Sequence, residues 1–293
     1  MTEQPIRIYV GWDSREDIAY QVCRHSIVER MSKPVEVIAL RQQQLRAAGL
    51  YTREADPLAS TEFTYTRFLV PHLAGFEGWA IFCDCDFLWL GDVQELIAKI
   101  DDRHAMMCVH HDHRPPETVK MDGCAQTIYP RKNWSSMVLY NCAHPKNRVL
   151  TPEVVNSESG AFLHRFQWLD DKDIAAVPET WNWLDGWSRP PADGQSPKVV
   201  HYTRGGPWFD NWQHVAYAAE WIAEEKAFQD EGGVDIWNIL DFWFEETDPG
   251  KWFASDDAFD ADVTERFGES HARAVRSELA GWRETVWGAL AEI

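Results

Sequence analysis

Apolar and polar positions change period repeatedly along the first 200 residues. Residues 6–10 (IRIYV) form a short apolar run that reads as a buried strand. Residues 14–31 then take helical spacing, with Asp13 or Ser14 where an N-cap belongs. Further strands are expected at 35–40 (VEVIAL), 79–83 (WAIFC), 105–109 (AMMCV), 136–140 (SMVLY) and 198–202. Helices are expected at 62–73, with Pro71 near its end, and at 92–100, 157–168, 215–229 and 270–291. Strands alternating with helices predict an α/β fold with a mainly parallel sheet, whose ligands sit at the carboxyl ends of strands. The residues just after each apolar run therefore carry the most weight.

Composition narrows the function. With 293 residues, 45% of them hydrophobic, the chain can bury a large core. Its formal charge of −19 argues against sequence-independent binding to nucleic acid or to an anionic lipid surface. Residues 213–293 hold 19 acidic and six basic side chains, which leaves 28 and 22 in residues 1–212. The division expected is a catalytic domain over 1–212 and an acidic helical appendage over 213–293, packed on it. No apolar stretch of about 18 residues suits a membrane span, and nothing at the N-terminus reads as a signal peptide. The six cysteines (23, 83, 85, 108, 124 and 142) show no CxxC pair and fit buried thiols in a reducing cytosol. A cytoplasmic location is expected.

The sharpest chemistry lies in residues 81–92 (IFCDCDFLWLGD). Extended backbone puts Asp84 and Asp86 on one side and Cys83 and Cys85 on the other. Two neighbouring carboxylates repel unless a cation sits between them, and hard oxygen donors suit Mg²⁺ or Mn²⁺. His201 ends another apolar run and is followed by Arg204, Gly205 and Gly206. It is a third ligand if its strand shares an edge with Asp84 and Asp86, and otherwise a structural histidine. Arg204 offers a guanidinium to phosphate oxygens.

Four segments, in this order, resemble the glycosyltransferase family 8 type. These are nucleotide-sugar transferases of the GT-A fold that include glycogenin and bacterial lipopolysaccharide sugar transferases. The segments are 8–27 (IYVGWDSREDIAYQVCRHSI), 63–73 (FTYTRFLVPHL), 80–96 (AIFCDCDFLWLGDVQEL) and 201–208 (HYTRGGPW). The resemblance implies a Rossmann-like sheet, a nucleotide-sugar donor with UDP as the nucleotide, and a saccharide or other hydroxyl acceptor. It implies a metal site at Asp84, Asp86 and His201, and donor contacts from Asp13, Tyr20 and Arg67. The residues themselves add Asp84, Arg204 and Gly206 as donor contacts, the glycine letting the backbone approach a ligand closely. It implies transfer with retention, by front-face attack or a short-lived ion pair; a covalent route would need Asp171 or Asp173.

The chain departs from that pattern in places. Gly206 replaces the family's lysine before Pro-Trp, and Asn133 stands one place early in its Asn-Ser-Gly. Asp171-Lys172-Asp173 stands for Asp-Gln-Asp, with Lys172 where a glutamine faces the sugar, and Asn182 fits the family's Trp-Asn.

Two clusters stay open. His110, His111 and His113 around Asp112 either join Asp84 and Asp86 in a metal-dependent phosphoester or nucleotide hydrolase, or form a loop entering the sugar pocket or a plain strand end. Six tryptophans between 168 and 212 form either a carbohydrate-binding groove, catalytic or not, or plain packing.

Overall fold

The computed structural model describes residues 5–54, 56, 59–112, 130–191 and 196–230. In chain order, β1 (Arg7–Gly11) leads to α1 (Asp17–Arg30), β2 (Glu36–Leu40) and α2 (Gln42–Ala47). A 3-10 turn at Thr66–Leu69 runs into α3 (Val70–Leu73), followed by β3 (Trp79–Cys83), β4 (Phe87–Trp89), α4 (Val93–Ile97) and β5 (Met106–Cys108). After β6 (Met137–Asn141) come α5 (Pro152–Ser157), α6 (Gly160–His164), β7 (Ile174–Ala176), β8 (Trp183–Leu184), β9 (Val199–His201) and α7 (Ala218–Asp230).

Six strands form one sheet in the order β2-β1-β3-β6-β5-β7. Five run one way and β6 runs against them, so the expected mainly parallel α/β sheet is present. Ile8, Tyr9 and Val10 of β1 and Ala80 to Cys83 of β3 are buried on both faces, which is why these strands read as continuous apolar runs. The reversal of β6 matters for the site. Met137 pairs with Cys83, so Ser135 and Ser136, just before β6, meet the carboxyl end of β3. A second sheet, β4-β9-β8, starts directly after Asp86.

Several helices differ from the pattern read in the sequence. No side-chain cap from Asp13 or Ser14 opens α1; Glu16 holds the cap position, because the Asp13 carboxylate is engaged by Arg15 and the Glu62 N–H. The helix expected over 62–73 is a 3-10 turn joined to α3, and Pro71 lies in the first turn of α3, where its missing N–H has no intrahelical partner to lose. The run 157–168 breaks at Ser159-Gly160. Thr151 caps α5 and Ser159 caps α6, each accepting a backbone N–H. The segment 270–291 lies outside the described residues.

The chain divides into two compact units, Met1–Glu225 and Lys226–Ile293. Within the first, Trp221 packs with Val22, Leu88, Trp183, Val200 and Tyr202. Glu224 accepts from His25 Nδ1 and Arg30 Nη2, both at 2.6 Å. Cys23, Cys83, Cys85, Cys108 and Cys142 are free and buried, as expected of thiols inside apolar strands. No described helix is long and apolar enough to cross a membrane.

Candidate active site

Strand pairing assembles the site. Asp84 follows β3, and its N–H donates to the Ser136 carbonyl at 2.9 Å, which carries the β3–β6 pairing one residue past the strand. Asp86 precedes β4, and Phe87 of β4 pairs with His201 of β9. The Tyr202 N–H donates to the Asp86 carbonyl at 2.9 Å, locking this register. Ligand atoms of Asp84, Asp86 and His201 thereby lie within 4.8 Å of one another. The set of two carboxylates and one imidazole fits a hard or borderline divalent cation.

The three side chains line a cavity of about 590 Å³ with Arg15, Arg67 and Arg204, a size that suits a small-molecule ligand. Arg67 is nearly buried and makes a 2.8 Å ion pair with Asp84 Oδ1. Its other N–H groups donate to the Phe63 and Ser135 carbonyls. The guanidinium is thus fixed on three sides, and it fixes one oxygen of Asp84. Cys85 also borders the cavity. Burial, with the carboxylates of Glu16, Asp86 and Asp84 adding, pushes its thiol well above the usual range, so it stays protonated rather than acting as a nucleophile.

A hydrogen-bonded chain lies behind His201. The Asn182 side chain, fully buried, meets His201 Nδ1 at 2.8 Å through Oδ1 and Ser136 Oγ at 2.9 Å through Nδ2. Ser136 Oγ in turn donates to the Asn133 carbonyl at 2.7 Å. The Phe87 ring stacks on His201, centroids 4.3 Å apart.

Other residues named from the sequence fall in different places. Asp13 is buried and does not line the cavity; Arg15, which it holds at 2.7 Å, does. Burial pushes the Asp13 carboxyl up, but hydrogen bonds from Arg15 and Glu62 outweigh it and hold it below the usual carboxylate range. Tyr20 is buried within α1. Gly206 lies under Trp208: a Cβ there would stand 1.9 Å from the indole Cζ3, so a lysine is sterically excluded. Arg204 is the cation this loop retains, facing the Trp187 and Trp212 rings.

Asp171, Lys172 and Asp173 occupy a 3-10 turn and are not among the cavity's lining residues. Asp171 pairs with Arg131. Asp173 accepts from Lys146 Nζ at 2.5 Å and from the Asp170 N–H at 2.9 Å. His110 stacks on Trp134 at 3.9 Å, and neither it nor His111 joins the three-ligand group; His113 is outside the described residues. Of the six clustered tryptophans only Trp212 lines the cavity, while Trp181 and Trp183 are buried packing residues.

Arg15, His164, which also lines the cavity, and the Ser136–Asn182 chain have no role assigned from sequence. Asn182 precedes β8, which pairs in parallel with β9, and no spacing along the chain announces that contact.

Comparison with known proteins agrees with the fold. Protein CDI of Arabidopsis thaliana is 57% identical over 231 residues, covering 78% of this chain and 89% of that protein. Residues 239–293 match a family described as a bacterial protein of unknown function, DUF924. Among solved structures, the WbbM bifunctional glycosyltransferase aligns with a TM-score of 0.53 at 13% identity, over 77% of this chain and 50% of that one. GlyE, a glycosyltransferase of Streptococcus pneumoniae TIGR4, aligns at 0.51 and 13% identity, over 83% and 64%. The galactosyltransferase LgtC, solved with donor and acceptor sugar analogs, aligns at 0.51 and 12% identity, over 76% and 96%. The chain thus spans half of the WbbM chain and under two thirds of the GlyE chain. These likenesses establish the GT-A fold.

Proposed function

The chain belongs to the Protein CDI family, and we propose that it is a metal-dependent glycosyltransferase. It moves a sugar from a nucleotide-sugar, with UDP as the nucleotide, to an acceptor hydroxyl with retention at the anomeric carbon. One observation carries this reading. Asp84, Asp86 and His201 converge at the carboxyl edge of the sheet, in a cavity also lined by three arginines. A Mn²⁺ or Mg²⁺ held by these three residues would supply Lewis-acid stabilisation of the departing diphosphate.

The chain's own groups do the rest. Arg204 and Arg15 offer guanidinium donors to phosphate oxygens, and Asp13 acts through Arg15 by holding it in place. Arg67 holds one oxygen of Asp84 in place through its ion pair. Gly206 brings no side chain, so the diphosphate contact of the missing lysine passes to Arg204. The Asp171–Asp173 turn is given no part in the chemistry, because Asp171 and Asp173 are engaged by Arg131 and Lys146 away from the cavity.

A thermal-shift series with nucleoside diphosphates and their sugars, with and without Mn²⁺, tests the proposal. UDP plus Mn²⁺ should stabilise the fold by about 2.7 kcal/mol at a hundredfold excess over Kd. Slow release of UDP from a UDP-sugar should then follow without acceptor. No stabilisation by any nucleoside diphosphate in the presence of metal would overturn the reading.

A further inference from the structure

A histidine between two carboxylates can ligate a cation only if the nitrogen facing them carries a lone pair. Which nitrogen bears the proton is set by what the other one meets. Here that partner belongs to a chain whose polarity is fixed from one end. The Asn133 carbonyl can only accept, so the Ser136 hydroxyl donates its one proton there, at 2.7 Å. Ser136 Oγ must then accept from Asn182, which orients the amide with Nδ2 toward the serine, at 2.9 Å. Asn182 Oδ1 is left facing His201 Nδ1 at 2.8 Å, and a carbonyl oxygen has no proton to give.

We infer that Asn182 is a positioning residue that holds His201 in the Nδ1–H form and aims the Nε2 lone pair at Asp84 and Asp86. The inference rests on the metal reading proposed above. Two constraints combine. The Phe87 ring, stacked at 4.3 Å, fixes the plane of the imidazole but permits either edge to face the carboxylates. Asn182 decides between the two edges. Nε2 then stands 3.4 Å from Asp86 Oδ1, two acceptors pointing into one space, an arrangement that suits a cation between them. Asn182 and Ser136 are buried, so water does not compete for the chain. The same Ser136 supplies the carbonyl that receives the Asp84 N–H, which links the placement of the first carboxylate to that of the histidine.

Two-bond ¹H–¹⁵N correlation on metal-free wild-type protein, labelled at histidine, reads the tautomer directly. It is recorded above the pH at which the same signals show the ring fully neutral, and the His201 signals are identified by their loss in His201→Gln. The expected spectrum has Nδ1 protonated and Nε2 bare; a proton on Nε2 alone overturns the inference. Free-Mn²⁺ EPR gives the second arm. Asn182→Ala should weaken Mn²⁺ binding about 10- to 100-fold, and an affinity within about twofold of wild type would overturn the inference. Asn182→Asp retains an oxygen for Nδ1–H, with the Ser136 hydroxyl free to turn toward it, and should restore most of the affinity. If Asn182→Ala does not fold, the wild-type spectrum decides. A wild-type protein that binds no Mn²⁺ defeats the metal reading alone, since the tautomer is read without metal.

Discussion

Asp84-Cys85-Asp86 and Asp171-Lys172-Asp173 share one pattern, and the fold puts them to opposite uses. The first ends a buried central strand, so its backbone is held by the sheet and its carboxylates face a cavity. The side chains of Asp84 and Asp86 are 15% and 20% exposed, with buried Arg67 and His201 beside them. The second occupies a capped 3-10 turn, with Asp171 90% exposed and paired with Arg131. Ion pairs surround both, yet only the first concentrates carboxylates where water is scarce and a ligand has room. A pattern of acids acquires its chemistry from the strand that delivers it.

The largest test of this contrast is on metal-dependent turnover. Asp86→Asn should lower UDP-sugar cleavage in Mn²⁺ by at least about 100-fold, the loss expected when a group stabilising the leaving charge is removed. Asp171→Asn, assayed alongside, should stay close to wild type. Equal losses in the two variants would erase the distinction.

Stability gives the next comparison. Arg67→Ala removes the partner of a nearly buried carboxylate and should cost about 3 kcal/mol, read from urea unfolding at pH 7. Asp171→Ala, which removes a carboxylate 90% exposed to solvent, should cost distinctly less.

A pH series sharpens the second tripeptide. Burial pushes the Asp173 carboxyl up, but its hydrogen bonds with Lys146 and the Asp170 N–H outweigh this and hold it below the usual carboxylate range. A carboxyl depressed on folding adds stability above the unfolded-state value, about 4, and loses it as pH falls through the folded value. The stability difference between wild type and Asp173→Asn should therefore be present at pH 7 and shrink below pH of about 4. A difference that grows on acidification would contradict the assigned ion pair.

The smallest effect is expected at Lys172, whose side chain is exposed. Lys172→Gln should change neither the unfolding midpoint nor turnover. A clear gain in transfer would return this turn to the reactive face of the sugar.

Long apolar strands made the sheet legible. β1, β2, β3 and β6 are five-residue runs buried on most positions, and each lies close to where its hydrophobicity places it. β4, β7 and β8 are two or three residues long, too short to display any period, and were not foreseen. The 62–73 segment misled because its apolar spacing is helical, whereas Pro71 admits a helix only from its own first turn onward. Asp84, Asp86 and His201 stood out because each adjoins an apolar run. Asn182 could be matched to a family pattern but given no task, since its contact depends on β8 meeting β9 across the fold.

The indole over Gly206 makes the outcome of substitutions in this loop depend on their order. Trp208 is packed by Tyr202, Phe209 and Trp221, so it has little room to yield to a new side chain. A lysine introduced at 206 alone meets the ring at 1.9 Å before it can reach any phosphate. Only after the ring has shrunk or swung aside does that substitution become tolerable, and the two changes should be strongly non-additive. The loop carries its cation two residues earlier, at Arg204, and a lysine at 206 demands a second, compensating change at a ring that does not itself line the cavity.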